Sequence, residues 1–393
     1  MEKKKGNRIS MQAIVVKAHN IISPLGFTSE ENYTNCLNGN SGIRQITAPV
    51  PPHEPLWIAT IEEQLLTKKF SELSISGNYT KAEKLLLLSV NDTLSQSSVD
   101  VTAKDFLLII STTKGNIDLL DEKEKAKFPE DRVQLYSLAD TMQAYFHTAH
   151  KPLIISNACI SGVNALIVAA RLMRDGLYKN ILVTGVDLAS RFVVAGFQSF
   201  KAVSPNRCKP FDKDRDGINL GEGCASILLT TENPTDKNTI KILGGAVSND
   251  ANHISGPSRT GDGLYYAISN ALKESALTAP EIDALNAHGT ATLYNDEMES
   301  KAFALAGLSD TPMNGLKGYF GHTLGAAGLI ETIISIFSMQ RNELLPTLGF
   351  ASPGTPEKVN VHNALIKKEI HYLLKTASGF GGCNGAIILE KNA

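Results

Sequence analysis

Short apolar runs, separated by longer amphipathic stretches, are what most limits the fold of this chain. Ala13 to Val16, Phe106 to Ile110, Leu153 to Ile155, Ile181 to Thr184, Ala225 to Leu229, Ala284 to Asn286 and Ala386 to Leu389 have the length of β-strands. Between several of them lie Lys81 to Gln96, Val163 to Leu177, Gly263 to Ser275 and Glu297 to Leu305, which have helical length and spacing. Strands interleaved with such helices predict an α/β fold with mostly parallel sheets, buried on both faces. Within Val163 to Leu177, the residues Leu166, Ile167, Ala170, Leu172 and Met173 are too apolar all round for a surface helix, so this one is expected at the centre. No Pro/Ser-rich linker cuts the 393 residues, although a two-half organisation divided near Asn233-Pro234 fits the pattern.

Hydrophobic residues make up 42% and charged ones 20%, with a formal net charge of −2, a balance that excludes a nucleic-acid binder or a disordered tail. The five cysteines, Cys36, Cys159, Cys208, Cys224 and Cys383, are odd in number and lack C-x-x-C pairing. Neither a disulfide framework nor a metal site is expected, and the setting reads as reducing and cytoplasmic. Met1 to Ser10 carries Lys3, Lys4, Lys5 and Arg8 and reads as a basic extension, disordered in solution, rather than a secretory signal. No apolar stretch approaches the roughly 20 residues of a membrane span, and Leu85 to Leu88 is expected inside a buried helix.

Chemistry enters at Asn157-Ala158-Cys159-Ile160-Ser161-Gly162, where an apolar strand gives way to a helix. A thiol at that junction faces the first-turn N–H groups, which favour a thiolate and any oxyanion beside it. Downstream, Asn286-Ala287-His288-Gly289-Thr290 and Gly321-His322-Thr323-Leu324-Gly325 each set one histidine in a small-residue loop. A cysteine with two loop histidines suits thioester chemistry: the thiol takes an acyl group, and two imidazole N–H donors hold the oxygen of a second thioester while a carbanion forms.

At these residues the chain resembles a β-ketoacyl-acyl carrier protein synthase of the elongating type, within the thiolase-fold superfamily. The resemblance covers most of the chain. It includes Asn157-Ala158-Cys159, Lys209-Pro210-Phe211-Asp212, Arg215-Asp216-Gly217, Gly221-Glu222-Gly223, His288-Gly289-Thr290-Ala291-Thr292, Asp296, Lys317, Gly321-His322, Gly325-Ala326-Ala327-Gly328, Glu331 and Gly379-Phe380-Gly381-Gly382. It implies two pseudo-equivalent halves with mixed sheets layered between helices, residues 11–233 carrying Cys159 and residues 234–393 carrying His288 and His322. It further implies decarboxylative condensation of an acyl chain on Cys159 with malonyl-acyl carrier protein, in fatty-acid, polyketide or aryl-polyene synthesis.

Carried over residue by residue, the resemblance makes Cys159 the nucleophile, with an oxyanion hole from its own N–H and that of Phe380. His288 and His322 would grip the malonyl thioester. Lys317 and Glu331 would form a buried charged network around the second histidine, with Asp296 in support. Thr290 and Thr292 would bond the phosphopantetheine arm, Phe380 would gate the acyl pocket, and Phe192, Val193 and Phe197 would line it, with partner side chains near Met142. No cofactor of the chain's own is implied, because phosphopantetheine belongs to the acyl carrier protein. That acidic partner calls for basic residues, for which Arg207, Lys209, Lys213 and Arg259 are candidates. A homodimer is implied, with Leu138 to His150 resembling the contact region. A catalytic subunit paired with a chain-length-factor-like partner, and a non-decarboxylating thiolase using Cys383, are the alternatives. Ile160 and Cys383 depart from the family pattern, and Ile160 is expected to narrow the acyl pocket.

Overall fold

The computed structural model describes residues 12–51, 53–232, 236–254 and 256–392. The basic extension Met1 to Ser10 and the division near Asn233-Pro234 lie outside the described residues. Ten strands carry the architecture: β1 (Ile14–Ile22), β2 (Phe106–Ser111), β3 (Leu153–Ile155), β4 (Asn180–Asp187), β5 (Gly223–Thr230), β6 (Ile240–Asn249), β7 (Ala284–Ala287), β8 (Pro312–Gly315), β9 (Tyr372–Gly379) and β10 (Cys383–Lys391). With the short strand Asn360–Val361 they form one sheet, ordered Asn360–Val361, β8, β7, β9, β10, β6, β1, β5, β4, β2, β3.

That order is a repeat. β1 to β5 are arranged first, fifth, fourth, second, third from the centre outward, and so are β6 to β10. The two first strands meet antiparallel, Ile14 opposite Ile242 and Val15 opposite Lys241. In each half the second, third and fourth strands pair in parallel, and the fifth lies antiparallel between the fourth and the first, so it alone runs against the other four. The sheet is therefore mixed rather than mostly parallel. Hydrophobic periodicity reports burial and carries no strand direction; the direction of β10 follows from the tight Phe380-Gly381-Gly382 connection, which only antiparallel neighbours allow.

Helices cover both faces. The relevant ones are α1 (Lys81–Ser95), α2 (Leu135–Phe146), α3 (Ser161–Arg174), α4 (Arg191–Ser199), α5 (Asp262–Glu274), α6 (Leu293–Leu305) and α7 (Ala327–Arg341). α1 begins with a reciprocal cap, Thr80 Oγ1 accepting from Glu83 N (3.2 Å) and Thr80 N donating to Glu83 Oε2 (3.0 Å). Alternate residues of β2 explain the layering. Phe106, Leu108 and Ile110 pack with Leu85, Leu86 and Val90 of α1, whereas Leu107 and Ile109 join the cluster of Val163, Leu166 and Ala170 of α3 with Leu329 and Ile333 of α7. The second half repeats this, Leu374 and Ile388 facing Leu264 and Ile268 of α5 while Leu373 and Ile387 face the central cluster. Helices α3 and α7 thus lie between the two half-sheets.

Candidate active site

The central helices bring their N-termini together. An added Cβ on Gly162 of α3 would stand 3.0 Å from both Gly325 O and Leu329 N, and one on Gly328 of α7 would stand 2.7 Å from Val163 N. Only residues without side chains permit that approach. Just before α3, Ala158 adopts a left-handed backbone (φ 44°), which turns the chain sharply at the thiol. Ser161 locks the corner, its Oγ donating to Ala158 O (2.6 Å) and accepting from Asn157 N (2.8 Å). Cys159 is left 7% exposed. Ile160 is fully buried in the central cluster and is not among the residues that line the cavity beside Cys159.

His288 follows β7 and His322 precedes α7, and their rings meet edge to face with centroids 5.2 Å apart. A nitrogen of each and Sγ of Cys159 all lie within 4.8 Å of one another. The topology therefore gathers the three groups from sites 129 and 34 positions apart in the sequence. A thiol and two imidazoles are also donors for zinc. However, the buried cations of Lys317 and Lys375 near the imidazoles favour an oxyanion over a metal dication.

Lys317 makes its hydrogen bonds to the first histidine, not the second: Nζ lies 2.6 Å from His288 O and 3.3 Å from His288 Nδ1. Glu331 receives Lys317 at 2.8 Å on Oε1 and Lys375 at 2.7 Å on Oε2, all three fully or nearly fully buried. Burial raises the Glu331 pKa, yet the two lysines outweigh it and hold the carboxyl below its usual range. Burial, then Lys317, pushes both histidines well below 6.5, so both are neutral at neutral pH. His322 Nδ1 is buried with no hydrogen-bond partner among the described residues. The Cys159 thiol is pushed up to about 12, first by burial and then by Cys383, against the pull of Lys317 and of the Phe380 N–H bonded to it.

Beside these groups lies a cavity of about 700 Å³ lined by Cys159, Phe197, His288, Thr290, Thr292, His322 and Phe380. Thr290 and Thr292 join their hydroxyls at 2.8 Å on its wall. Phe380 is sandwiched by Phe197 (centroids 5.6 Å apart, stacked) and Phe200 (5.2 Å, edge-on). Asp296, on the first turn of α6, is fully buried and accepts from Phe211 N (2.7 Å) and Ala291 N (3.2 Å), so it holds the His288 loop without facing the cavity. Burial, then Glu299, raises it to about 7.

Several expected residues lie elsewhere. Phe192 lines a separate cavity of about 1060 Å³ with Tyr79, Ile117 and Leu120, because it occupies the opposite side of α4 from Val193 and Phe197. Met142 is buried in the α1 cluster of its own chain, together with Leu138. Of the basic candidates only Arg259 lines the Cys159 cavity; Arg207 stacks over Trp57, 5.2 Å from its centroid. Sequence reasoning missed Lys375 and Glu299. Lys375 is a lone charge inside the otherwise apolar run Tyr372 to Ala377, a signal that was readable. Glu299 lies three residues beyond Asp296, one turn along the helix, and accepts from the backbone N–H groups of His288 (2.8 Å) and Gly289 (2.7 Å).

Comparison with known proteins places this geometry. Residues 11–234 match the model of the beta-ketoacyl synthase N-terminal domain and residues 240–351 that of its C-terminal domain. The chain is 28% identical to 3-oxoacyl-[acyl-carrier-protein] synthase 2 of Rhizobium meliloti, with 97% of this chain and 99% of the relative covered. It is 27% identical to a putative mitochondrial 3-oxoacyl-[acyl-carrier-protein] synthase of Schizosaccharomyces pombe, with the same coverage. Among solved structures it is similar to the ketosynthase ApeO in complex with its chain length factor ApeC from Xenorhabdus doucetiae (TM-score 0.85, 25% identity, 97% and 98% covered). A beta-ketoacyl synthase from Burkholderia phymatum shares the fold (TM-score 0.83, 23% identity, 97% and 100% covered). The two domain models match in succession between residues 11 and 351, well over half of the chain, and the chain belongs to the beta-ketoacyl synthase family.

Proposed function

We propose that Cys159 carries the acyl chain and that His288 and His322 stabilise the enolate formed when a malonyl thioester loses carbon dioxide. The observation that carries this reading is the approach of the thiol and two neutral imidazoles within 4.8 Å at the wall of one cavity. As a beta-ketoacyl synthase the chain is an acyltransferase.

In the first step the Cys159 sulfur attacks the acyl thioester and the carrier's pantetheine sulfur leaves. The thiol proton ends on that leaving sulfur, so a thiol that is neutral at rest suffices. In the second step the malonyl C–C bond breaks, carbon dioxide departs, and the electron pair passes to the thioester oxygen, where the two imidazole N–H groups meet it. The enolate carbon then attacks the acyl carbonyl on Cys159, whose oxygen faces the N–H groups of Cys159 and Phe380. Collapse expels the Cys159 sulfur as a thiolate, which takes up one proton from solvent to regain the resting thiol, and leaves a β-ketoacyl chain on the carrier. Thr290 and Thr292 hold the pantetheine arm, and an acidic acyl carrier protein docks at the cavity mouth beside Arg259.

The assembly is a dimer joined at β3, whose outer edge carries no strand among the described residues and whose Leu153 is 42% exposed. The similar complex with a chain length factor supports a heterodimer as the second reading, with this chain as the catalytic subunit. A reducing, cytoplasmic compartment suits five unpaired cysteines. Intact mass measurement after incubation with acyl carrier protein thioesters tests the role of Cys159, since the acyl increment must appear on the wild type and vanish in Cys159→Ala. His288→Ala and His322→Ala should each slow malonyl decarboxylation by about a hundredfold or more. Wild-type decarboxylation by both variants would overturn the mechanism.

A further inference from the structure

Asp187, at the end of β4, takes no part in the chemistry above, yet its fully buried carboxylate ties together two segments that flank the thiol. Oδ1 accepts from Thr112 Oγ1 (2.9 Å), Lys114 N (3.1 Å) and Thr113 N (3.2 Å). Oδ2 accepts from Gly325 N (2.7 Å), Thr113 N (2.9 Å) and Thr113 Oγ1 (2.9 Å). From the other side of the same loop, Ser111 Oγ donates to Gly325 O (3.0 Å). A Cβ on Gly325 would lie 2.8 Å from Asp187 Oδ2 and from Thr112 Cα, so glycine is what lets the carboxylate close on this peptide.

The residue held next to that clasp is Leu324, two positions after His322. Its backbone is left-handed (φ 50°), a conformation that a leucine keeps only when its surroundings impose it. The buried Leu324 side chain belongs to the apolar cluster that contains Cys159, Val193 and Val194, with Ile117 packed against it. The other clasped segment reaches the same cluster: Gly115 N donates to Thr112 Oγ1 (2.9 Å), and the chain continues through Asn116 to Ile117. One carboxylate therefore fixes Leu324, which shares the apolar cluster of the thiol, and the segment leading to Ile117, which packs against that cluster and lines the adjoining cavity with Phe192.

We propose that Asp187 is a positioning residue that sets the shape of the acyl pocket and so selects which acyl thioesters Cys159 accepts, an inference that rests on the reading of Cys159 as the acylated residue. Asp187→Asn keeps the shape of the side chain but points an NH2 group at N–H donors, so one wall must shift. Thr113→Val removes a single hydroxyl donor and disturbs the clasp less. The measurement is the rate of Cys159 acylation, followed by intact mass, from octanoyl and acetyl thioesters of the same carrier protein. A loss of folded protein lowers both rates together, whereas a moved wall changes their ratio. The octanoyl-to-acetyl ratio should change by about tenfold or more in Asp187→Asn and by roughly threefold in Thr113→Val, both in the same direction. Ratios unchanged from wild type in folded Asp187→Asn and in Thr113→Val would overturn the proposal, and Thr113→Val alone decides it if Asp187→Asn does not fold. Absence of an acyl increment on the wild type with either donor would instead remove the underlying reading of Cys159.

Discussion

Nζ of Lys317 stands 3.3 Å from Nδ1 of His288 and 2.6 Å from the backbone oxygen of the same residue. An ammonium group only donates, so Nδ1 accepts and the ring proton resides on Nε2. Lys317 thereby sets the tautomer that offers an N–H to a developing enolate, while the Glu331 carboxylate bridges the buried cations of Lys317 and Lys375.

Lys317→Met removes that cation at similar volume. Malonyl decarboxylation should fall by about tenfold to a hundredfold, because Nδ1 is no longer held as an acceptor. The His288 titration should move upward at the same time, since a neighbouring positive charge that opposed protonation is gone. Ring-proton NMR titration reads the second effect independently of activity, and an unmoved His288 would contradict it.

Glu299→Gln tests the support beneath the same histidine. Glu299 accepts from His288 N, Gly289 N and Asn295 Nδ2 at 2.7 to 2.9 Å, so an amide NH2 in its place confronts groups that can only donate. The fold should lose about 1.5–3 kcal/mol, the range for hydrogen bonds to a charged group. Denaturant unfolding measures the loss, and an unchanged midpoint would remove Glu299 from the support of this loop.

What could be read in the sequence follows from which signals are local. The strand Phe106–Ser111 and the helices Lys81–Ser95 and Ser161–Arg174 stand within a few residues of expectation, because a run of Phe, Leu and Ile or a capped apolar stretch needs no distant partner to be recognised. Helix α7 went unread as a helix: buried from Ala327 to Met339, it has no polar face to supply periodicity. Cys159, His288 and His322 were readable through their small-residue loops, whereas their partners depended on packing. Which histidine Lys317 bonds depends on how the loop after β7 packs against the segment before α7, and the place of Ile160 depends on how the start of α3 meets the core. No spacing along the chain records that packing.

The buried histidines make a contribution to stability that declines as acid is added, opposed by carboxyls such as Asp296 and Asp118, whose raised pKa values let the folded chain bind protons first. Burial holds His288 and His322 well below 6.5 and brings His19 to about 4, so below pH 6.5 the unfolded chain binds protons that the folded chain does not. The stabilisation is complete above pH 6.5 and is lost as the pH falls toward 4, each histidine contributing up to about 1.4 kcal/mol per pH unit. Denaturant unfolding between pH 7 and about pH 4.5 measures this slope. The His19 share is the difference between wild type and His19→Asn: the wild type should lose more stability than the variant as the pH falls from 6.5 toward 4, and equal slopes would show that His19 is not held neutral.

Cys383 decides between decarboxylative condensation and thiolase-like chemistry. A thiolase needs a second cysteine to move the proton that generates the carbanion, and replacing such a base costs roughly two to four orders of magnitude in rate. The thiol of Cys383 does not line the Cys159 cavity; it points to the backbone, 3.3 Å from Phe380 O and 3.8 Å from Asn157 O, and burial raises it to about 11. That placement suits a packed donor beneath the Phe380 loop, and a threonine hydroxyl can take over the bond. Cys383→Thr should therefore retain most condensing activity with a malonyl donor and gain none with an acetyl donor. Product formation from malonyl and acetyl carrier protein thioesters, compared in wild type and variant, is the assay. Efficient use of an acetyl donor by the wild type, abolished in Cys383→Thr, would establish proton abstraction by Cys383 in place of decarboxylation.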